Sequence, residues 1–136
     1  FAVGKQILAA GLIPILEPEL DINCPEKAKA EVMLKESILQ HLADLDDGVQ
    51  IMLKLTLPDE ANFYADLVKH PKVLKVVSLS GGYSQKDANF KLVQNNGVIA
   101  SFSRALSEGL NAKQTDSEFN SILNVSIENI YTASKS

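Results

Sequence analysis

Residues 51–56 read Ile51-Met52-Leu53-Lys54-Leu55-Thr56, a short apolar run that is interrupted by a single lysine. Three similar runs occur along the chain, and each ends in polar, small or charged residues. Runs that are this short and this rich in Val, Ile and Leu are typical of parallel strands covered on both faces. The four predicted strands extend over 12–19, 49–56, 73–80 and 98–104.

The segments between these runs carry helical patterns. We expect helices over 28–45, 62–69, from Ser84 to near 95, and over 117–134, after a first helix at the start of the chain. In the last of them, Phe119, Leu123 and Ile127 recur at helical spacing, which predicts one apolar face. Strands that alternate with helices predict an α/β fold with a parallel sheet.

Two architectures fit this alternation. Four strand–helix units can form an open doubly wound sheet, or they can form half of a (β/α)₈ barrel. Both architectures place binding and catalysis at the carboxyl ends of the strands. The functional residues are therefore expected where each apolar run turns polar.

Composition narrows the class of protein. The 136 residues are 46% hydrophobic and 22% charged, as expected for one globular domain, with a net charge of −4. Lysines are scattered, so we expect no nucleic-acid partner. No apolar run reaches the roughly 20 residues of a membrane helix, and no secretory signal is recognisable, so we expect no membrane contact and a cytoplasmic location.

Metal and disulfide chemistry are not expected. Cys24 is the single cysteine, and the two histidines, His41 and His70, lie in or directly beside predicted helices. No internal disulfide can form, which fits a reducing compartment. We therefore expect no metal site and no cofactor.

Two carboxylates stand at the end of the first predicted strand, in Glu17-Pro18-Glu19. Residues two apart in a strand share a face, so Glu17 and Glu19 are expected to point the same way. Close carboxylates disfavour joint ionisation, which lets one of them carry a proton near neutral pH. A strand that simply ends in a solvated loop is the alternative.

Lys54 lies in the middle of the second predicted strand, between apolar neighbours. Desolvation favours a neutral amine, and a neutral amine is the nucleophile that forms a Schiff base with a carbonyl substrate. A structural ion pair with Glu17 or Glu19 is the alternative interpretation.

Phosphate-binding patterns follow the third and fourth strands. Ser80-Gly81-Gly82 leads from a strand to a predicted helix start, where backbone N–H groups and a hydroxyl can surround a phosphate. Ser103 and Arg104, the sole arginine, follow the fourth strand. The guanidinium of arginine can donate two parallel hydrogen bonds to a phosphate. The alternative interpretation of Arg104 is a surface salt bridge. Together the four strand ends predict a Schiff-base site for a ketose phosphate.

The four motifs, in their order and at their spacing, resemble the last four strands of class I fructose-bisphosphate aldolase, most closely its shorter bacterial form. They are Gly11-Leu12-Ile13-Pro14-Ile15-Leu16-Glu17-Pro18-Glu19, Met52-Leu53-Lys54, Leu79-Ser80-Gly81-Gly82-Tyr83-Ser84 and Ser101-Phe102-Ser103-Arg104-Ala105-Leu106. The resemblance implies that residues 1–136 form the C-terminal half of a single (β/α)₈ TIM barrel. It also implies reversible cleavage of fructose 1,6-bisphosphate into dihydroxyacetone phosphate and glyceraldehyde 3-phosphate, in glycolysis or gluconeogenesis.

The resemblance also implies a role for each motif. Lys54 corresponds to the Schiff-base lysine, Glu17 to the proton-transferring glutamate, and Glu19 to the neighbour that orients the lysine. Donors to the substrate phosphate are expected from Ser80, Gly81, Gly82, Ser103 and Arg104.

The chain begins with Phe1 within an apolar helical pattern, so we expect it to be a piece of a longer protein. Its expected partners are phosphorylated ketose and triose substrates, the missing N-terminal half of the barrel, and a second copy in a homo-oligomer. Alone it is expected to be inactive or nearly so. A non-catalytic phosphate-binding α/β module and a Schiff-base lyase for another ketose phosphate remain as alternatives.

Overall fold

Five helices and four strands alternate in the computed structural model, which describes residues 1–136. In chain order they are α1 (Ala2–Ala9), β1 (Ile15–Leu16), α2 (Lys27–Ala43), β2 (Ile51–Thr56), α3 (Ala65–Val68), β3 (Val73–Leu79), α4 (Gln85–Leu92), β4 (Ile99–Ala100) and α5 (Asp116–Ala133). All four strands lie within the predicted runs, so the prediction of an α/β fold is confirmed.

The strands form one parallel sheet in the order β1-β2-β3-β4. Each strand therefore lies beside its neighbour in sequence, whereas a doubly wound sheet reverses its strand order. Lys54 is in register with Val77 of β3, and Met52 is in register with Ile15 of β1. Because all four strands run the same way, their carboxyl ends meet at one edge of the sheet.

The two faces of β2 have different environments. Leu53, Leu55 and Leu57 are fully buried in one core with Leu42 of α2 and Leu92 of α4. On the opposite face, Met52 and Lys54 are only half-buried and lie outside this core. The prediction that the strands are covered on both faces holds only in part within this chain: on the second face Thr56 and Val77 are buried, whereas Met52 and Lys54 stay half-buried.

One predicted helix is much shorter in the structure. The helix expected over 62–69 is reduced to α3, because Asn62 adopts a left-handed backbone with φ 57°. The side-chain oxygen of Asn62 accepts a hydrogen bond from the backbone N–H of Asn96 at 2.8 Å, and its own N–H donates to the side-chain oxygen of Asn95 at 3.1 Å. These contacts tie the residue to the loop after α4 and keep it out of the helix.

Helix α5 is confirmed, but its apolar stripe is largely uncovered. A capping box starts the helix, in which the Thr115 side chain accepts from the Glu118 N–H and the Glu118 carboxylate accepts from the Thr115 N–H. Phe119 and Ile127 are 38% and 46% exposed. None of the five helices has the length and apolar character required to cross a bilayer.

A buried ion cluster connects α2, α4 and the segment that follows β2. Lys27 of α2 is 4% exposed and pairs with the buried Glu31 one turn later. Its ammonium also donates to the Leu57 carbonyl oxygen at 3.0 Å and to Asp59 Oδ1 at 3.1 Å. Lys91 of α4 reaches the same Asp59 oxygen at 3.0 Å. The cluster therefore fixes the segment that follows β2 between α2 and α4.

Hydrogen bonds decide the charge states in this cluster. Burial opposes the charge of Lys27, but its hydrogen bonds to Glu31 and Asp59 outweigh burial and raise its pKa above 10.5. Burial likewise opposes the charge of Asp59, and the hydrogen bonds from Lys91 and Lys27 lower its pKa below 3.8. The contribution of Asp59 to stability is thus present above pH 3.8 and is lost as the pH falls through its lowered pKa.

Replacing Lys27 by methionine is expected to lower the free energy of unfolding by about 3 kcal/mol, because the substitution leaves the Glu31 carboxylate buried without its cation. Lys29→Met is the matched control. Lys29 pairs with Glu26 while both side chains are exposed, at 69% and 72%, so that variant should change stability by less than about 0.5 kcal/mol. Urea unfolding measures both values. Equal effects of the two substitutions would show that the buried cluster does not stabilise the fold.

Candidate active site

The carboxyl ends of the four strands surround one polar cavity of about 130 Å³. It lies at the edge of the sheet where the sequence predicted the functional residues. Seven of the eight predicted site residues line it, and the eighth, Gly82, adjoins Arg104. The lining residues are Glu17, Glu19, Lys54, Leu79, Ser80, Gly81, Ser101, Ser103 and Arg104.

Lys54 projects from the half-buried face of β2 toward the end of β1. Its ammonium nitrogen donates to Glu17 Oε2 at 2.8 Å, and the two side chains are 25% and 52% exposed. The predicted ion pair is therefore present, and its partner is Glu17. A pair this exposed contributes only about 0–1 kcal/mol to stability, so its contribution to folding does not account for a lysine in the middle of a strand.

Alternation along the backbone aims both carboxylates into the cavity. Glu17 and Glu19 line it, and Pro18 between them does not. Pro18 borders a second groove beside Leu34 of α2, which Glu17 also borders. The expectation that the two acids share a face is confirmed. Of the three residues, only the proline does not face the cavity.

The turn after β3 requires glycine. Gly81 and Gly82 have φ values of 62° and 107°, a backbone region that side chains rarely adopt. A Cβ atom on Gly81 would lie 2.8 Å from Cγ2 of Ile22. The turn leads into α4. Ser84 caps the start of this helix, and its hydroxyl oxygen accepts from the backbone N–H of Asp87 at 3.1 Å. Backbone N–H groups can therefore come close to a ligand in this cavity.

Arg104 follows β4 and reaches the glycine turn. One guanidinium nitrogen lies 3.7 Å from the position that a Cβ on Gly82 would occupy. None of the seven ion pairs in the structure includes Arg104, so the predicted alternative of a surface salt bridge is not found. Its side chain is exposed and keeps its donors available at the cavity.

Ser101 is a further lining residue that the sequence analysis did not assign to the site. It lies two residues before Ser103, and residues at that spacing share a face of a strand, so period-two spacing is the signal that could have identified it. No group of three or more His, Cys, Asp or Glu side chains is placed to hold a metal ion.

Fold and cavity together define a parallel α/β protein whose sheet ends in a lysine, two carboxylates, a glycine turn and an arginine. Three curated proteins, each named fructose-bisphosphate aldolase class 1, match 134 residues or 98% of the chain. The protein of Synechocystis sp. is 60% identical, that of Porphyromonas gingivalis 58%, and that of Clostridium acetobutylicum 54%. No protein-family model matches the sequence.

The chain is therefore homologous, over nearly all of its length, to part of the class I fructose-bisphosphate aldolases, and the resemblance drawn from its four motifs is confirmed. It spans about 45% of the length of each of these relatives. The roles assigned to the individual site residues stay predictions.

Gly81→Ala is expected to destabilise the chain more than Gly11→Ala. Both glycines have positive φ, at 62° and 78°, so both alanine variants bear the left-handed backbone cost of about 1–2 kcal/mol. Only Gly81 also meets a side chain, since no atom lies within 4 Å of a Cβ on Gly11. We expect an additional loss of about 1 kcal/mol for Gly81→Ala in urea unfolding. A loss equal to that of Gly11→Ala would mean that Ile22 moves away without cost.

Proposed function

We propose that this chain is the C-terminal half of a (β/α)₈ barrel and supplies the Schiff-base lysine of a class I fructose-bisphosphate aldolase. The observation that carries the proposal is the hydrogen bond of 2.8 Å between Lys54 and Glu17, inside a cavity that also contains anion-binding groups. The names of the three relatives give the reaction and the substrate.

The Lys54–Glu17 contact suits the first chemical step. Transfer of one proton along this hydrogen bond gives a neutral amine and a protonated carboxyl group at the same time. The amine of Lys54 attacks the ketone carbon of the open-chain sugar. Glu17 then gives its proton to the carbinolamine hydroxyl, which leaves as water, and a protonated imine forms. Glu19, which lines the same cavity, helps to orient the lysine.

Cleavage follows from the positive charge of the imine. The hydroxyl of the fourth carbon gives up its proton, the bond between the third and fourth carbons breaks, and its electron pair moves toward the imine nitrogen. Glyceraldehyde 3-phosphate leaves, and the enamine that remains on Lys54 takes up a proton and is hydrolysed to dihydroxyacetone phosphate. The base for the hydroxyl proton comes, in this proposal, from the complementary half of the barrel.

Phosphate binding is assigned to the third and fourth strand ends. The backbone N–H groups of Gly81 and Gly82 and the hydroxyl of Ser80 can donate to one phosphate, beside the guanidinium of Arg104. Ser103 adds a hydroxyl at the same edge. These groups would anchor the ketose-side phosphate and hold the carbonyl carbon near Lys54.

Two apolar grooves support a complementary half that packs against both edges of the sheet. One groove, of about 530 Å³, runs beside β4 and α5 and includes Phe102, Ile127 and Tyr131. The other, of about 390 Å³, runs beside β1 and includes Phe1 and Ile15. β1 and β4 are the edge strands of the sheet, and edge strands with unpaired backbone groups readily pair with further strands. The remaining length of the relatives is enough to supply such strands.

Borohydride trapping tests the role of Lys54. The chain is assembled with the N-terminal part of the Synechocystis relative, and dihydroxyacetone phosphate and borohydride are added. We expect one reduced adduct, which mass mapping assigns to Lys54, and its absence in Lys54→Arg together with a loss of cleavage of at least about 10³-fold. Lys75→Arg is the control, because Lys75 is in register with Met52 on the neighbouring strand and outside the cavity. Substrate binding without any adduct would favour a phosphate-binding module instead.

Assembly tests the proposed half-barrel. The 136-residue chain alone is expected to show no measurable cleavage of fructose 1,6-bisphosphate, because the proposed base is absent, while the assembled protein is expected to be active. Coupled assay of triose phosphate release measures both samples, and size-exclusion chromatography reports whether the chain alone pairs with a second copy. Full activity of the chain by itself would overturn the half-barrel proposal.

A further inference from the structure

Thr56 lies two residues beyond Lys54 on β2 and is fully buried. Residues two apart in a strand point to the same face, so its side chain emerges beside that of Lys54. It does not line the cavity and is not among the predicted site residues. Its hydroxyl instead contacts the segment that carries the two carboxylates.

The Thr56 hydroxyl both donates a hydrogen bond to Leu20 and accepts one from Leu20. The backbone N–H of Leu20 donates to Thr56 Oγ1 at 2.8 Å, and Thr56 Oγ1 donates to the Leu20 carbonyl oxygen at 3.0 Å. A hydroxyl has one proton to donate and lone pairs to accept with, so the two bonds are compatible. They hold both backbone groups of the residue that follows Glu19.

This contact acts where backbone pairing has ended. The register between β1 and β2 covers only Ile15 with Met52 and Leu16 with Leu53. Glu17 and Glu19 lie beyond it, in a segment without regular structure. The segment is therefore held at one end by the β1 ladder and at the other end by the Thr56 hydroxyl. Glu17, between these two points, meets Lys54 at 2.8 Å.

The methyl group of Thr56 has a separate neighbour. Its Cγ2 atom lies 3.7 Å from the position that a Cβ on Gly81 would occupy. The hydroxyl side of Thr56 thus faces the acidic segment, and the methyl side faces the glycine turn. Valine keeps the methyl and loses the hydroxyl, whereas serine keeps the hydroxyl and loses the methyl, so the two contacts can be tested one at a time.

We propose that Thr56 is a positioning residue, which holds Glu17 at Lys54 by fixing the backbone of Leu20. This inference rests on the proposed Schiff-base function of Lys54. Without the hydroxyl, the segment after β1 loses its second attachment, and the carboxyl group of Glu17 no longer meets the amine at a fixed distance. Loss of the hydroxyl therefore slows imine formation, while the positions of the phosphate-binding groups do not change.

The test compares Thr56→Val and Thr56→Ser in the assembled protein, with dihydroxyacetone phosphate as the probe. Thr56→Val is expected to slow the formation of the borohydride-trapped imine about 10-fold at saturating probe, with the half-saturating concentration changed less than about twofold. Thr56→Ser is expected to stay within about threefold of the wild-type rate. In Thr56→Val, hydrogen exchange of the Leu20 amide is expected to be faster, and circular dichroism is expected to be unchanged.

Each result has a distinct meaning. An unchanged imine rate in Thr56→Val, or a Thr56→Ser variant as slow as Thr56→Val, would overturn the positioning role. A loss of probe binding at an unchanged saturating rate would also overturn it, since that pattern belongs to the phosphate site. If Thr56→Val does not fold, Thr56→Ala, which also lacks the hydroxyl, replaces it, and a Thr56→Ala rate equal to that of Thr56→Ser would overturn the positioning role. A wild-type protein that forms no imine would refute the proposed function itself.

Discussion

Strand β2 is the element on which the rest of the structure depends, because its two faces meet different environments. One face buries Leu53, Leu55 and Leu57 completely against the helices, which fixes the strand in the core. The opposite face carries Lys54 and Thr56 toward the neighbouring strands. Burial of the leucines at about 25 cal/mol per Å² stabilises the position of the whole strand, so the lysine on its other side is placed rigidly.

Two of the seven ion pairs, Lys27–Glu31 and Lys54–Glu17, have different physical roles. Lys27 and Glu31 are nearly inaccessible to solvent, where each charge is tolerated only because its partner and further hydrogen bonds satisfy it. Lys54 and Glu17 are partly exposed and contribute little to folding. The buried cluster fixes the segment after β2, and the exposed pair lines the cavity at the strand ends. Under the proposed function, the buried cluster would give the Lys54–Glu17 pair the rigid support that preorganised sites require.

Individual residues show which features of the fold and the site could be predicted from the sequence. Period-two spacing placed Glu17 and Glu19 on one face, and the apolar runs located all four strands. The prediction of a helix over 62–69 was mostly wrong because Asn62 forms hydrogen bonds with Asn95 and Asn96, and no local sequence pattern reveals these contacts. Coverage of both sheet faces is found only in part, with Thr56 buried and Lys54 half-buried, because continuous hydrophobicity indicates burial but does not identify the layer that supplies it. The role of the Thr56 hydroxyl was not predicted, because nothing in the sequence indicates that this strand residue contacts Leu20.

The sequence by itself determined the order and the chemistry of the strand ends, since alternating strand and helix patterns force parallel strands whose carboxyl ends share one edge. Only the tertiary structure decided which groups meet there. It paired Lys54 with Glu17, left Arg104 without a carboxylate and attached Leu20 to Thr56. The reason is physical: strand direction follows from local periodicity, whereas contacts between side chains far apart in sequence depend on strand register and core packing, which the whole chain sets together.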